Sequence, residues 1–124
     1  MNKMIALVLG VVLIAVGGVG VAGIENPIVG AMGSGAMFET NAMHDYVHIA
    51  LGLVLIAGAM TVGARPTLLL VGAIYAVVAV LGLVMAPDGG MLLDMVHTNK
   101  NDHWLHIGLA VVMLGAGLLP SGKG

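Results

Sequence analysis

The sequence predicts an all-α membrane protein: four transmembrane helices formed by a duplicated helical hairpin, with a pseudo-two-fold axis along the membrane normal. Three observations predict it. The chain of 124 residues is 60% hydrophobic and 8% charged, with mean hydropathy +1.11, whereas a soluble domain has about a quarter of its residues charged. Its apolar residues fall into four runs, each near the ~20 residues a helix needs to cross the hydrocarbon. A polar segment also occurs twice, as Thr40-Asn41-Ala42-Met43-His44-Asp45-Tyr46-Val47-His48-Ile49 and, 58 residues on, as Thr98-Asn99-Lys100-Asn101-Asp102-His103-Trp104-Leu105-His106-Ile107.

The first run extends from about Met4 to Ile24. Lys3 and the Gly-Val-Ala-Gly at its end resemble a secretory signal. The run is longer than a signal core, and its Gly10 and Gly20 match Gly72 and Gly82 of the third run at an offset of 62, so a retained helix is expected. The second run spans about Met43 to Val62, the third about Pro66 to Ala86, and the fourth about His103 to Leu119. Backbone groups in lipid must be satisfied within the segment, which makes these helices rather than strands. Pro66 suits the first turn of helix three, and Pro87 and Pro120 act as stop signals after helices three and four.

The offsets of 62 and 58 imply one domain, residues 1–124, with repeat one at about 1–62, repeat two at about 63–124, and a second loop four residues shorter. Each repeat has an even number of spans, so both enter the membrane from the same side, as parallel repeats do. The first loop contains Gly30-Ala31-Met32-Gly33-Ser34-Gly35 and reads as flexible. In the second, Pro87-Asp88-Gly89-Gly90 reads as a turn and Met91–Val96 as a short interfacial helix. Ala6/Gly10, Gly18/Ala22 and Gly72/Ala76 form small-xxx-small pairs, which let helix backbones approach closely in lipid.

Charge sets the orientation. Lys3, Arg65 and Lys123 lie at the N-terminus, the inter-repeat link and the C-terminus, which share one side; Lys100 alone departs from this sorting. The positive-inside rule makes that side cytoplasmic. Glu25, Glu39, Asp45, Asp88, Asp94 and Asp102 fall on the other side. The expected location is therefore a bacterial inner membrane, with both termini cytoplasmic and both histidine segments outside. Tyr46 and Trp104 occupy aromatic-belt positions where helices two and four enter the lipid.

Several functions are excluded or weakened. Four basic residues without a patch exclude nucleic acid. The absence of cysteine removes disulfides, thiolate metal sites and Cys nucleophiles. There is no nucleophilic serine motif, phosphate-binding loop or zincin signature. No ionisable residue lies in mid-span, which argues against transport, and Tyr75 is the one conspicuous polar group inside helix three. The ten methionines are scattered, which fits pliable packing better than a thioether copper(I) site.

The chemistry that remains lies in the repeated segments. His44 and His48 at i,i+4 share a helix face, about 6 Å apart along the axis; His103 and His106 at i,i+3 also share one. Asn41 and either Asn101 or Asp102 are expected N-caps. His48 and His106 are equivalent by the repeat and can meet near a pseudo-axis. Three readings stay open. In the first, His48 and His106 bond to Asp45, Asp102 or Asn41 of the opposite copy and clasp the halves together. In the second, His44, His48, His103 and His106, with His97 in reach, bind zinc or copper. In the third, His48 and His106 hold a b-type haem, with Gly52 and Gly108 admitting the macrocycle.

Asn41-x-x-His44-x-x-x-His48-x-x-x-Gly52 and the looser Asn99-x-x-x-His103-x-x-His106-x-Gly108 resemble a group of small four-helix bacterial membrane proteins of unknown function. The resemblance covers nearly the whole chain and implies the architecture without implying an activity. The function expected first is a non-catalytic membrane component, a small accessory subunit that associates through its helices with other membrane subunits or with itself. The alternative is a metal- or haem-binding protein facing the periplasm.

Overall fold

The structure is a computed structural model that describes residues 1–31, 34–93 and 95–119. Four helices are present among them: α1 (Asn2–Ala22), α2 (Ala42–Met60), α3 (Ala64–Met85) and α4 (Lys100–Leu118). Three of them, α1, α2 and α3, are long and apolar enough to cross a membrane, with mean hydropathy 2.8, 1.4 and 2.8. This marks the chain as a multi-pass membrane protein. α4 falls outside that group because its first turns carry Lys100, Asn101, Asp102, His103 and His106.

Each helix ends for a local reason. α1 stops at Gly23, which takes φ 69° and lets the Gly23 and Ile24 amides return to the carbonyls of Gly20 and Val19, a left-handed cap that favours glycine. α2 starts at Asn41, whose side chain accepts from the His44 amide. α4 starts at Asn99, which accepts from the Asp102 amide while Asp102 accepts from the Asn99 amide, a reciprocal capping box. The caps are thus Asn41 and Asn99, three residues upstream of Asp102. Pro66 sits in the first turn of α3, where a missing N–H costs nothing.

α1 packs chiefly on α2, and α3 on α4. Glycines set the closest approaches of α1 and α2, Gly17 against the Asp45 main chain and Gly10 against Gly52. A Cβ on Gly52 would come 2.6 Å from the Gly10 carbonyl oxygen, and one on Gly10 would come 2.9 Å from that of Gly52. In the α3–α4 pair, Gly72 meets Leu114 and Gly117 meets Leu69. Gly18 has no neighbour in reach, so of the expected small-residue pairs Gly18/Ala22 is not a packing contact. Buried Leu13, Leu55, Leu68, Val71, Tyr75 and Met113 form the centre of the core.

The two loops at the histidine end contain short strands. β1 (Val29–Ala31) pairs in parallel with β2 (Phe38–Thr40), after a turn in which Asn26 Oδ1 accepts from the Ile28 and Val29 amides. β3 (Gly89–Leu92) and β4 (Val96–Asn99) form an antiparallel hairpin. Among the described residues of Met91–Val96 the expected interfacial helix is not formed: Met91 and Leu92 belong to β3 and Val96 to β4. Gly89 and Gly90 adopt φ of 102° and 137°, which only glycine takes readily, and this starts a strand rather than a helix. Of the expected flexible segment, Gly30 and Ala31 belong to β1, while Met32 and Gly33 lie outside the described residues, as do Asp94, Pro120 and Lys123.

At the opposite end, Asn2 Nδ2 donates to the carbonyls of Ala116 (2.6 Å) and Leu119 (3.3 Å), and Arg65 Nε donates to that of Gly117 (3.1 Å). The first turns of α1 and α3 thereby satisfy the open carbonyls that end α4.

Candidate metal centre

The asparagine caps hold the histidine segments in helical register from their first residues, which puts His44 and His48 on one face of α2. α4 brings His106 against that face. The ring centroids are 4.4 Å apart for His44 and His48, 5.5 Å for His44 and His106, and 6.2 Å for His48 and His106. One ring nitrogen from each residue can be chosen so that all three lie within 4.8 Å of one another. The three side chains are at most 2% exposed.

Their hydrogen bonding is incomplete. His44 Nδ1 donates to the His97 carbonyl at 2.7 Å, which leaves Nε2 with a lone pair and no partner. Among the described residues neither ring nitrogen of His48 has a partner, and His106 Nδ1 has none. A buried polar atom without a partner costs about 1–3 kcal/mol, and such atoms rarely cluster in a folded chain. A metal ion coordinated by imidazole lone pairs would remove that cost at one nitrogen of each ring. The His44–His97 bond is the kind of support that fixes tautomer and ring direction at a metal ligand.

His103 stands outside the cluster. Its Nε2 donates to the Ala86 carbonyl at the end of α3, and its ring lies where a Cβ on Gly82 would be. The expected set of four histidines is thus three together, with the fourth tying α4 to α3. His97 lies on β4, its Nε2 facing Glu39 Oε1 at 3.4 Å, and it reaches the cluster only through its main-chain carbonyl. The expected clasp is not formed by His48: Asp45 accepts from Thr40 Oγ1 at 2.7 Å, Asp102 is held in its capping box, and Asn41 Nδ2 donates to Met95. Gly52 is used up in the α1 crossing, and Gly108 has nothing in reach.

Tyr75 also belongs to the site. Its ring is 5.4 Å from that of His106, it is 2% exposed, and its hydroxyl has no hydrogen-bond partner among the described residues. Tyr75 and the three histidines line a cavity of about 160 Å³ between α2 and α3, beneath the β3–β4 hairpin. The rest of its described lining is apolar, including Leu51, Val78 and Leu92. The sequence signal is that Tyr75 is the one conspicuous polar side chain in the interior of α3, beyond Arg65 and Thr67 of its first turn.

A second, larger cavity of about 700 Å³ lies at the same end between α1, the first loop and α2, lined by Glu25, Asn26, Ser34, Asn41 and Asp45 among others. It contains no histidine.

Comparison with curated proteins gave no match, and comparison with solved structures gave none. A family model described as a domain of unknown function (DUF4383) matches residues 3–119, and the chain belongs to that family.

Proposed function

We propose that this protein binds one transition-metal ion, copper or zinc, through His44, His48 and His106, within a bacterial cytoplasmic membrane and near its outer face. The observation that carries the reading is the convergence of three buried imidazoles, each with at least one ring nitrogen that has no partner among the described residues. Three imidazoles suit zinc and copper alike. A b-type haem between His48 and His106 fits less well, because the His44 ring stands 4.4 and 5.5 Å from theirs, where the plane of a macrocycle would extend.

In this reading α4 is a fourth span. Support comes from its 19-residue length and from the bonds of Asn2 and Arg65 to its last carbonyls, which match its extent to those of α1 and α3. A duplicated hairpin with its axis along the membrane normal is supported by residues 58 positions apart that face each other: Glu39 with His97, and His48 with His106. Lys3 and Arg65 at the other end support a cytoplasmic side there, by the positive-inside rule.

The test is metal content by mass spectrometry on detergent-purified protein, beside the His48→Ala/His106→Ala double variant. About one copper or zinc per chain, lost in the variant, is expected. No metal in either sample overturns the reading and leaves the accessory-subunit reading, for which the next measurement is co-purification of partners at fixed stoichiometry.

A further inference from the structure

We infer that the metal centre is open and that the adjoining cavity admits a small uncharged ligand, of the diatomic class, to which the Tyr75 hydroxyl donates a hydrogen bond. This rests on the metal reading of the three histidines. Three protein ligands leave a tetrahedral ion one free position, the arrangement of reactive rather than structural sites. The cavity of about 160 Å³ lies directly beside the cluster and is lined by all three rings. Such a volume holds a few small molecules, since a water occupies about 30 Å³ of liquid.

Two features define the guest. Apart from the histidines and Tyr75, the described lining consists of Val, Leu and Met side chains, which penalise an ion and tolerate a neutral molecule. Tyr75 is 2% exposed and its hydroxyl has no partner among the described residues. A buried hydroxyl in that state is costly, and a metal-bound molecule with an acceptor atom would satisfy it. Tyr75 is here a positioning residue for the bound ligand, because nothing places it among the metal ligands.

The experiment uses full-length protein in lipid nanodiscs, loaded anaerobically with copper(I) and exposed to carbon monoxide, with the C–O stretch read by infrared spectroscopy. One carbon monoxide per copper, with a single sharp band, is expected. Tyr75→Phe should keep its copper and move the band to higher frequency, as loss of a donor to the oxygen requires. Val78→Phe, which fills the cavity, should keep its copper and weaken carbon monoxide binding at least tenfold; Leu81→Phe is a second filler should Val78→Phe fail to fold. Copper-loaded protein that binds no carbon monoxide overturns the open site and leaves the metal reading intact. An unchanged band in Tyr75→Phe overturns the role of the hydroxyl. Protein that takes up no copper removes the metal reading itself, and this inference with it.

Discussion

Asn41 and Asn99 perform the same two tasks in opposite halves of the chain. Each caps a helix from nearly identical backbone angles, φ −123° and ψ 178° for Asn41, φ −120° and ψ 179° for Asn99. Each then spends its Nδ2 on the other half: Asn41 donates to the Met95 carbonyl at 3.0 Å, and Asn99 to that of Met37 at 2.9 Å. The four residues form two pairs 58 positions apart, so the bonds are reciprocal. The asparagines therefore do more than start helices. They hold the two loops together above the three histidines.

Replacing either asparagine should separate those tasks. Asn41→Asp and Asn99→Asp keep the capping acceptor and remove the donor; Asn→Ala at either position removes both. The alanine variants should lose about 1–2 kcal/mol, since a cap alone is typically worth ~1 kcal/mol and a hydrogen bond adds about as much. The aspartate variants should lose roughly half of that. Thermal unfolding in detergent reads the order. Aspartate variants as stable as the wild type at both positions would remove the cross-half bonds from the account.

The α1–α2 crossing gives a second prediction. Gly10 and Gly52 approach through their main chains, and carbonyl oxygens cannot rotate away as a side chain can. Gly52→Ala and Gly10→Ala should each cost about 1–3 kcal/mol, as overpacking does. Gly18→Ala and Gly108→Ala meet nothing within 4 Å and should be neutral or slightly stabilising through helix propensity. Unfolding midpoints for the four variants decide the matter; a loss at Gly18 equal to that at Gly52 would contradict the packing.

These particulars show what was readable in the sequence. Helical spans follow from apolar length, and the histidine faces follow from i,i+3 and i,i+4 spacing; both are local properties. Which glycines carry a crossing is not local. Gly18/Ala22 has the same pattern as Ala6/Gly10, but only the second faces another helix, because rotation of α1 about its axis is fixed by α2. For the same reason His103 could not be separated from His106 by spacing: three residues along α4, one ring turns to the Ala86 carbonyl and the other to His48. Tyr75 was invisible as a site residue because only the packing of α3 beside α4 brings it to His106. The turn at Pro87–Gly90 is legible, but Met91–Val96 does not alternate apolar and polar residues, so nothing local marks its two ends as paired strands.

Metal affinity should sort the histidines by geometry rather than by position in the repeat. His44→Ala, His48→Ala and His106→Ala should each weaken binding at least a hundredfold, while His103→Ala should retain it. His97→Ala is the informative control. The bond to His44 comes from the His97 main-chain carbonyl, which survives the substitution, so affinity should stay within about threefold although the contact with Glu39 is lost. Competition titration with a chromophoric chelator measures all five. In the wild type, saturating metal at a thousandfold above Kd should add about 4 kcal/mol of stability.

The proposed orientation can be tested with single cysteines, because the chain has none of its own. Met37 and Met91 are 53% and 39% exposed in the two loops at the histidine end, and Val62 is 74% exposed at the opposite end, between α2 and α3. If Lys3 and Arg65 mark the cytoplasmic side, Met37→Cys and Met91→Cys should react with a membrane-impermeant maleimide added to intact spheroplasts, and Val62→Cys only after lysis. The placement of α4 makes the Met37/Met91 pair decisive. β2, which contributes to the first loop, contacts β4 and α4, and Asn101 Nδ2 donates to the Met37 carbonyl at 2.8 Å, so both loops must share one side. Labelling of Met37→Cys without Met91→Cys would break that arrangement, and labelling of Val62→Cys alone would invert the topology and move the histidines to the cytoplasmic face.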